Sequence, residues 1–448
     1  MKKSVIQTLI LILLLALLFT GCGIEKTILT TDASKQETTA AKSETTTAPQ
    51  KVKLRIAWWG SQERHDATTN VINLFKSKNQ NYEFETEFSG WAGYFEKLTV
   101  QAAGNTMPDI IQQDYAYLDQ YVQKGLLVDL SNETASKNLD ISEVDTKIIS
   151  SGKFNNKLYG IPLGVNALGL IYDPEIFKQA GATLPEPGWT WTDFEAAAVK
   201  IHSVLGDGNF ACNGVPGGLD YRLRQNGKTM YSQSGTELGY TDDSIFTNYF
   251  TFQLKMQNAG IIPKPSELLA VKGLEDEFIV RGKAAMTVLW SNAIVALTTA
   301  AKRPLAMTLL PGGGPGSTPA LYLKPSMFFS ITKSSTNVSA SAKFISFFIN
   351  DNDASAFLMA ERGVPVSARI RKVMETKLTA AQKVMFDYIS LVEKNSSMLP
   401  PADPPYAAEV AQILTSITEE ILYDKIKPDE GAAKFRKQAN EILAKNKK

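Results

Sequence analysis

An alternation of strand-like and helix-like apolar patterns in the first third of the chain constrains the fold more than any other feature. In "VKLRIAWW", residues 52–59, every second side chain belongs to one apolar set, which predicts a β-strand. Residues 67–75 then place apolar side chains on one helical face, and Asp66 is the predicted cap of that helix. The same order recurs at 82–103 and 109–124. We therefore expect a parallel sheet flanked by helices.

Polar and aromatic side chains are concentrated where the predicted strands end, which is where sheets of this kind bind ligands. Trp58 alternates with the buried set, so we expect it in the core. The candidate ligand-binding residues at the three strand ends are Trp59, Gln62, Arg64, His65, Trp91 and Asp114. For His65 a structural role beside the helix cap remains an equal alternative. Flat rings and planar polar groups suit a ligand with apolar faces and many hydroxyl groups.

The rest of the chain mixes helices and strands over a length that suggests two lobes, since about 400 residues is long for a single core. The segment "WTWTDFEAAAVKIHSVL" predicts a helix capped by Thr192, with Trp189 and Trp191 packing at its entry. Further predicted strands are 167–173, 284–290, 305–311 and 326–332, and further predicted helices are 339–351 and a tail at 407–445.

The N-terminus reads as a secretory signal followed by a tether. Lys2 and Lys3 precede an apolar run of eleven residues that ends near Cys22, which is shorter than the roughly 20 residues needed to cross a bilayer. We predict a signal peptide over 1–21. Residues 22–50 are rich in Thr, Ala, Ser, Lys and Glu, so we predict a disordered tether there.

The composition excludes several functional classes. The net charge is +1, and no basic run with interleaved aromatic residues predicts nucleic-acid binding. The two cysteines, Cys22 and Cys212, do not suggest a disulfide framework, and Cys212 is expected to be buried. With two histidines, and without a C-x-x-C or H-E-x-x-H motif, we expect no metal and no cofactor.

Several segments, in this order, resemble the extracellular solute-binding lipoproteins of bacterial ABC sugar importers. They are "WWGSQERHD", "FSGWAGYFEKL", "MPDIIQQDYAYLDQY", "KLYGIPLGVNAL", "GLEDEFIVRGKAAM", "LKPSMFFSITKSS" and "ERGVPVS". The resemblance implies a periplasmic-binding-protein-like α/β fold with two lobes, a cleft between them and a hinge that the chain crosses more than once. Lobe one would comprise 51–163 plus 325–367, and lobe two 164–324 plus 368–448.

The resemblance also implies a location and partners. "FTGC" is similar to the lipoprotein box, in which Cys22 would carry a diacylglyceryl group and hold the protein on the outer face of the cell membrane. This chain has Phe19 where leucine is commoner. The expected partners are an oligosaccharide and the transmembrane subunits of an ABC permease, with the protein itself a monomer.

Further candidate site residues come from the matched segments. A tryptophan that stacks on a pyranose follows the "GKAAM" strand in similar proteins, and here that position is Trp290 with Asn292 close by. This chain has Val288-Leu289 where many relatives carry glycine, so the register of Trp290 stays open. The other candidates in these segments are Asn166, Lys324, Met327 and Arg362.

The similar importers carry pectic, rhamnogalacturonan-derived oligosaccharides, so an acidic sugar gripped by Arg64, Lys324 and Arg362 is the predicted ligand. The alternative is that these cations pair with local acids such as Glu63 or Glu361. A surface lyase or glycosidase is the rival function, although no motif pairs two carboxylates for it. A sugar-sensing partner of a receptor would use the same fold.

Overall fold

The computed structural model describes residues 51–314 and 317–447, and for Lys447 the backbone alone. The predicted signal peptide and tether lie outside these residues. The strands are β1 Val52–Trp59, β2 Tyr82–Ser89, β3 Ile110–Gln113, β4 Lys153–Phe154, β5 Lys157–Leu158, β6 Ile161–Asn166, β7 Leu168–Tyr172, β8 Phe210–Cys212, β9 Ala284–Trp290, β10 Ala306–Thr308, β11 Lys324–Ile331 and β12 Val364–Pro365.

Outside the strands, which form a six-stranded, a four-stranded and a two-stranded sheet, helices make up most of the structure. They are α1 Gln62–Lys78, α2 Tyr94–Ala103, α3 Tyr115–Gln123, α4 Ser131–Ala135, α5 Thr146–Ser150, α6 Pro174–Gln179, α7 Trp191–Leu205, α8 Gly218–Gln225, α9 Ser244–Asn258, α10 Pro265–Leu268, α11 Ala293–Ala301, α12 Val338–Asn350, α13 Asn352–Leu358, α14 Ala368–Met374, α15 Ala380–Lys394, α16 Ala407–Leu422 and α17 Pro428–Leu443.

Lobe one is built on a six-stranded mixed sheet with the order β12-β6-β11-β3-β1-β2. The βαβαβα prediction is confirmed for its first half, because β1 pairs in parallel with both β2 and β3. The complete sheet is mixed, because strands from later in the chain join the three parallel ones. Strand β11 returns from the far part of the chain and runs antiparallel to β3 and β6, and β12 runs antiparallel to β6.

Lobe two is built on a four-stranded sheet with the order β10-β7-β9-β8. Strands β6 and β7 belong to different sheets, yet only the buried residue Ala167 separates them. The chain therefore passes between the lobes at Ala167 and returns before β11. It passes again between α14, which packs against α12 and α13 of lobe one, and α15, which packs against α11 and β10 of lobe two. The fold is thus the predicted two-lobe α/β architecture, with three crossings between the lobes.

Two helix starts differ from the sequence expectations. Helix α1 begins at Gln62 after Ser61, so Asp66 lies inside the helix and accepts a 2.8 Å hydrogen bond from Gln62 Nε2. Helix α7 is capped by Thr190 rather than Thr192, because Thr190 and Asp193 form a reciprocal capping box. The predicted tail at 407–445 is two helices, since α17 starts at a proline, which cannot continue the preceding helix.

Each lobe has a core of large apolar side chains. In lobe one, Trp58 is fully buried as predicted, and Phe75 packs edge-to-face against Phe344 of α12 at 5.3 Å between ring centroids. In lobe two, Phe246 of α9 stacks on Phe435 of α17 at 5.8 Å. Cys212 is fully buried as expected. These cores fix the strand ends from which the site side chains extend.

Candidate functional site

On lobe one, two tryptophans meet beyond the ends of neighbouring parallel strands. Trp59 ends β1 and Trp91 follows β2, and their rings contact edge-to-face with centroids 5.1 Å apart. The Trp59 side chain is buried against Tyr94 and Phe95, whereas Trp91 is 50% exposed. Trp59 therefore supports Trp91, and Trp91 presents an aromatic surface to solvent.

Lobe two contributes a matching aromatic group at the end of β9. The Trp290 ring lies 6.4 Å from the Tyr322 ring, and the Nζ atom of Lys324 lies 5.3 Å from the Trp290 centroid. Asn166 at the end of β6 pairs in register with Lys324 and accepts a 3.5 Å bond from the Ser291 hydroxyl. The structure therefore brings Asn166, Trp290 and Lys324 together where the chain crosses between lobes.

A cavity of about 1060 Å³ lies between the lobes. Lobe one contributes Tyr115 and Asp119 of α3 together with residues 150–151 and 153–155. The wall from lobe two includes Asp220, Arg224, Tyr231, Tyr322, Asp403 and the proline-rich loop around Asp403. Three tyrosine rings and three carboxylates thus surround one space, a combination suited to a ligand with apolar faces and hydroxyl groups.

Asp220 and Asp403 are both solvent-exposed and line the cavity. Protein atoms around the carboxylate displace part of its water and so raise the pKa of Asp220, and the guanidinium of Arg224 opposes this rise. The same displacement of water raises the pKa of Asp403, and the positive charge of Lys324 opposes it. The wall therefore has acidic groups that lack part of their normal hydration and can accept hydrogen bonds from a ligand.

Arg224 is a structural cation in the cavity wall. Its Nε donates a 2.8 Å bond to the Ala320 carbonyl, and one terminal nitrogen donates to the Ser397 hydroxyl at 2.6 Å and the Met398 carbonyl at 3.1 Å. The guanidinium also lies 4.9 Å from the centroid of the Tyr322 ring. Arg224 therefore orients Tyr322 and ties helix α8 to the loop that follows α15.

Two of the predicted site cations are paired inside lobe one. Arg64 makes a 2.7 Å salt bridge to Glu361 and donates to the Trp59 carbonyl. Arg362 is 3% exposed and donates to Thr68 and to Gln112. Burial lowers the pKa of Arg362 to about 9, and the Glu361 carboxylate opposes this shift. The alternative of local pairing therefore describes Arg64 and Arg362, which stabilise the interior next to Trp59.

Two further predicted site residues are also internal. His65 is 8% exposed, and its Nδ1 accepts a 3.0 Å bond from Nε1 of Trp58. The imidazole also lies against the Phe88 ring, with centroids 4.4 Å apart. Met327 is 6% exposed within β11. In this arrangement neither side chain faces the space between the lobes, because both are packed among core residues.

The remaining predicted residues lie at helix starts. Gln62 is exposed in the first turn of α1, and Asn292 is exposed directly before α11. Asp114 caps α3 by accepting a bond from the Ala116 amide. That bond orients α3, which carries Tyr115 into the cavity wall.

The residues that line the cavity were not predicted from the sequence. None of the predicted site residues is among them, although Tyr115 directly follows Asp114 and the Tyr322 ring neighbours Trp290. One signal was present, because Tyr115 lies in the quoted segment "MPDIIQQDYAYLDQY". Asp220 and Asp403 had no local signal, since the fold alone brings α8 and the loop before α16 together.

Neither a metal site nor a membrane span is found among the described residues. No group of three or more His, Cys, Asp or Glu side chains there is placed to hold a metal ion. Within residues 51–314 and 317–447, no helix is both long and apolar enough to cross a membrane.

Two lobes, three chain crossings and an aromatic, carboxylate-lined space between the lobes define a two-lobe solute-binding protein. A family profile described as "Bacterial extracellular solute-binding protein" matches residues 59–354. That range is well over half of the chain, and the protein belongs to this family.

Individual relatives agree with this assignment. The structure of an extracellular solute-binding protein family 1 member from Alicyclobacillus acidocaldarius superposes with a TM-score of 0.81 and 29% identity, covering 89% of this chain and 100% of that one. A periplasmic oligogalacturonide-binding protein from Yersinia enterocolitica has a TM-score of 0.74 and 23% identity, covering 89% of this chain and 100% of the other, which shows a shared fold.

Among curated proteins, the arabinooligosaccharide-binding protein of Bacillus subtilis is 25% identical over 213 residues. The match covers 46% of this chain and 43% of that protein, so the chain spans less than half the length of this relative.

Proposed function

We propose that this protein captures an oligosaccharide between its lobes and delivers it to the membrane permease of an ABC importer. The observation that carries the proposal is the inter-lobe cavity of about 1060 Å³ with its three tyrosine rings and three carboxylates. Ligand pockets usually span about 300–1,000 Å³, so this space suits a ligand larger than one sugar unit. Tyrosine rings can cover the C–H faces of sugars while carboxylates accept hydrogen bonds from their hydroxyl groups.

Two relatives support a carbohydrate ligand. The names of the Bacillus subtilis and Yersinia enterocolitica proteins give an arabinooligosaccharide and an oligogalacturonide as their ligands. Both are chains of sugars, one neutral and one acidic. We therefore propose an oligosaccharide, with plant cell-wall fragments, including the pectic ones named above, as the first group to test.

The hinge supports a capture mechanism. The three chain crossings allow the lobes to rotate while each sheet stays intact, as in other proteins that close around a ligand. Closure would bring Trp91 and Tyr115 of lobe one towards Trp290 and Tyr322 of lobe two, and would remove the sugar from water.

We propose a binding role without catalysis, in line with the family. Because Asp220 and Asp403 share the cavity, the assay must also exclude hydrolysis or elimination. A sensing role uses the same binding step and differs in its partner. Loss of sugar uptake on deletion of the gene would support transport, whereas intact uptake with a lost transcriptional response would support sensing.

The direct test is isothermal titration calorimetry of the purified protein carrying Cys22→Ala against arabinan, galactan, homogalacturonan and rhamnogalacturonan oligosaccharides. Each mixture should afterwards be analysed by mass spectrometry. We expect tight binding of at least one oligosaccharide, recovered unchanged. Cleaved sugar would contradict the binding role, and the absence of binding to every oligosaccharide would contradict the proposed function.

A further inference from the structure

The inter-lobe cavity has acidic groups in its wall, and this has a consequence for which sugars it accepts. We propose that the cavity selects neutral, hydroxyl-rich oligosaccharides over uronate-containing ones, with Asp220 and Asp403 as the specificity-determining acceptors. This inference rests on the proposed function and names the ligand class of the same site. It replaces the acidic ligand that the sequence suggested with a neutral one.

Two carboxylates of the cavity wall come from separate segments of lobe two. Asp220 lies in the first turn of α8, and Asp403 lies in the loop before α16. Both line the same space, and Asp119 of lobe one lines it as well. Tyr231 and Tyr322 are close enough to these carboxylates for their negative charge to help raise the pKa of each phenol, although burial is the largest cause. A ligand in this cavity would therefore lie close to both the carboxylates and the tyrosine rings.

Positive charge at the cavity comes from the exposed side chain of Lys153 and from Arg224 in the wall. The cations proposed from the sequence do not form a clamp in this cavity, because Arg64 is bound to Glu361 and Arg362 is buried in lobe one. The positive charge of Lys324 acts on Asp403, since it opposes the rise in the pKa of that carboxyl. Arg224 directs its Nε and one terminal nitrogen to Ala320, Ser397 and Met398.

Like charges repel one another more strongly where water is excluded. A uronate carboxylate inside this cavity would face three carboxylates, Asp119, Asp220 and Asp403, against the one exposed wall lysine, Lys153. Closure expels water from this space, and the reduced screening strengthens the net repulsion. A sugar hydroxyl in the same place donates to a carboxylate and forms a charge-assisted bond. Each carboxylate can accept two such bonds, so a diol matches it well.

The experiment compares matched ligands that differ only in charge. Trigalacturonate and its carboxyl-reduced counterpart galactotriose form one pair, and an unsaturated rhamnogalacturonan disaccharide and its carboxyl-reduced analogue form the other. Affinities are measured by calorimetry at pH 7 on the full chain carrying Cys22→Ala. In every pair of which a member binds, we expect the neutral sugar to bind at least roughly tenfold more tightly than the acidic one. This is a difference of about 1.4 kcal/mol.

Isosteric variants assign the effect to residues. Asp220→Asn and Asp403→Asn keep the side-chain shape and remove the charge. Each should weaken binding of the neutral sugar by roughly tenfold, and each should reduce the difference in affinity between the neutral and the acidic sugar. Asp387→Asn, on an exposed turn of α15 away from the cavity wall, is the matched control and should change neither affinity. Thermal melting of each variant verifies that it is folded.

The outcomes separate the two proposals. Equal or tighter binding of the acidic member in either pair would overturn the selection for neutral sugars while leaving oligosaccharide capture intact. Unchanged neutral-sugar affinity in both folded Asn variants would overturn the role of these carboxylates. Failure of every member of both pairs to bind, together with failure of the arabinan and galactan oligosaccharides, would contradict the proposed function and this inference with it.

Discussion

The hydroxyl of Tyr115 donates a 3.0 Å hydrogen bond to the carbonyl oxygen of Pro400, and this bond joins lobe one to lobe two at the cavity. Tyr115 begins α3 at the end of a lobe-one strand, and Pro400 lies in the loop that follows α15 of lobe two. Burial raises the pKa of Tyr115 to about 12, so the phenol remains a donor at physiological pH. One side chain thus lines the cavity and connects the two bodies that must move around it.

Tyr115→Phe should therefore shift the lobes towards a more open arrangement without unfolding either of them. The loss of one neutral hydrogen bond is worth about 0.5–1.5 kcal/mol. Small-angle X-ray scattering of the ligand-free protein should show a larger radius of gyration. Tyr117→Phe is the control, because the Tyr117 ring stacks on Phe95 within lobe one. Identical scattering of the Tyr115 variant and the parent would show that this bond does not restrain the lobes.

Glu361 should be a major contributor to the stability of lobe one. It pairs with Arg64 at 2.7 Å and lies 3.4 Å from the buried guanidinium of Arg362. Glu361→Gln leaves both cations without their carboxylate, and we expect a loss of about 3 kcal/mol in unfolding free energy by urea titration. The exposed pair of Lys383 and Asp387 gives the contrast, since Lys383→Met should cost less than about 1 kcal/mol. Equal losses in the two variants would contradict this ranking.

The stability of the protein should fall on acidification through the titration of His65. Burial lowers the pKa of His65, and the positive charge of Arg64 adds to the effect. Protonation also removes the acceptor that Nδ1 offers to Trp58. The unfolded chain therefore binds the proton more readily than the folded one, so unfolding free energy declines as pH drops through and below about 6.5.

Urea titrations between pH 7.5 and pH 5 measure this dependence. His65→Asn retains an acceptor that does not titrate, so it should flatten the curve relative to the parent while lowering stability at neutral pH through lost packing. If the variant and the parent lose stability in parallel over this range, another group is responsible.

Trp290 is expected to contribute stacking area to ligand binding. It ends β9 beside Tyr322, which lines the cavity, and it is partly exposed. Trp290→Ala should weaken binding of an identified oligosaccharide by about 1–3 kcal/mol in calorimetry. Tyr423→Ala removes an exposed ring after α16 and should leave affinity unchanged. An unaltered affinity for the Trp290 variant would assign its ring to lobe packing.

Cys22 is predicted to carry the lipid that holds the protein at the outer face of the membrane. Cys22→Ala should move the protein from the membrane fraction to the soluble fraction of fractionated cells. Cys212→Ala is the control, because Cys212 is fully buried in β8 and should not affect partitioning. Membrane retention of the Cys22 variant at the level of the parent would show that the anchor lies elsewhere.

Much of the fold was predictable because the apolar patterns of the sequence match the side chains that are buried in the core. The period-two pattern of residues 52–59 gave β1 with its observed bounds, and the alternation that follows gave β2, β3 and the helices between them. The segment "AAMTVLW" likewise gave β9. About half of β1 and about half of β9 are buried on both faces, and this burial requires the apolar side chains that the sequence displays there. Helix starts were less predictable, because several neighbouring residues are of types that are found at helix caps: Ser61 and Asp66 at α1, and Thr190 and Thr192 at α7. Only the backbone path selects among them.

What the sequence by itself determined is the alternation of elements, the burial of Trp58 and Cys212, and the resemblance that named the family. Tertiary structure decided the direction of β11 in the first sheet and the pairing of Arg64 with Glu361, partners 297 positions apart. It also decided that Tyr115, Asp220 and Asp403 share one cavity. The physical reason is range: strand and helix periodicity arises between near neighbours, whereas charge pairing and cavity walls depend on where distant segments meet after the cores have packed.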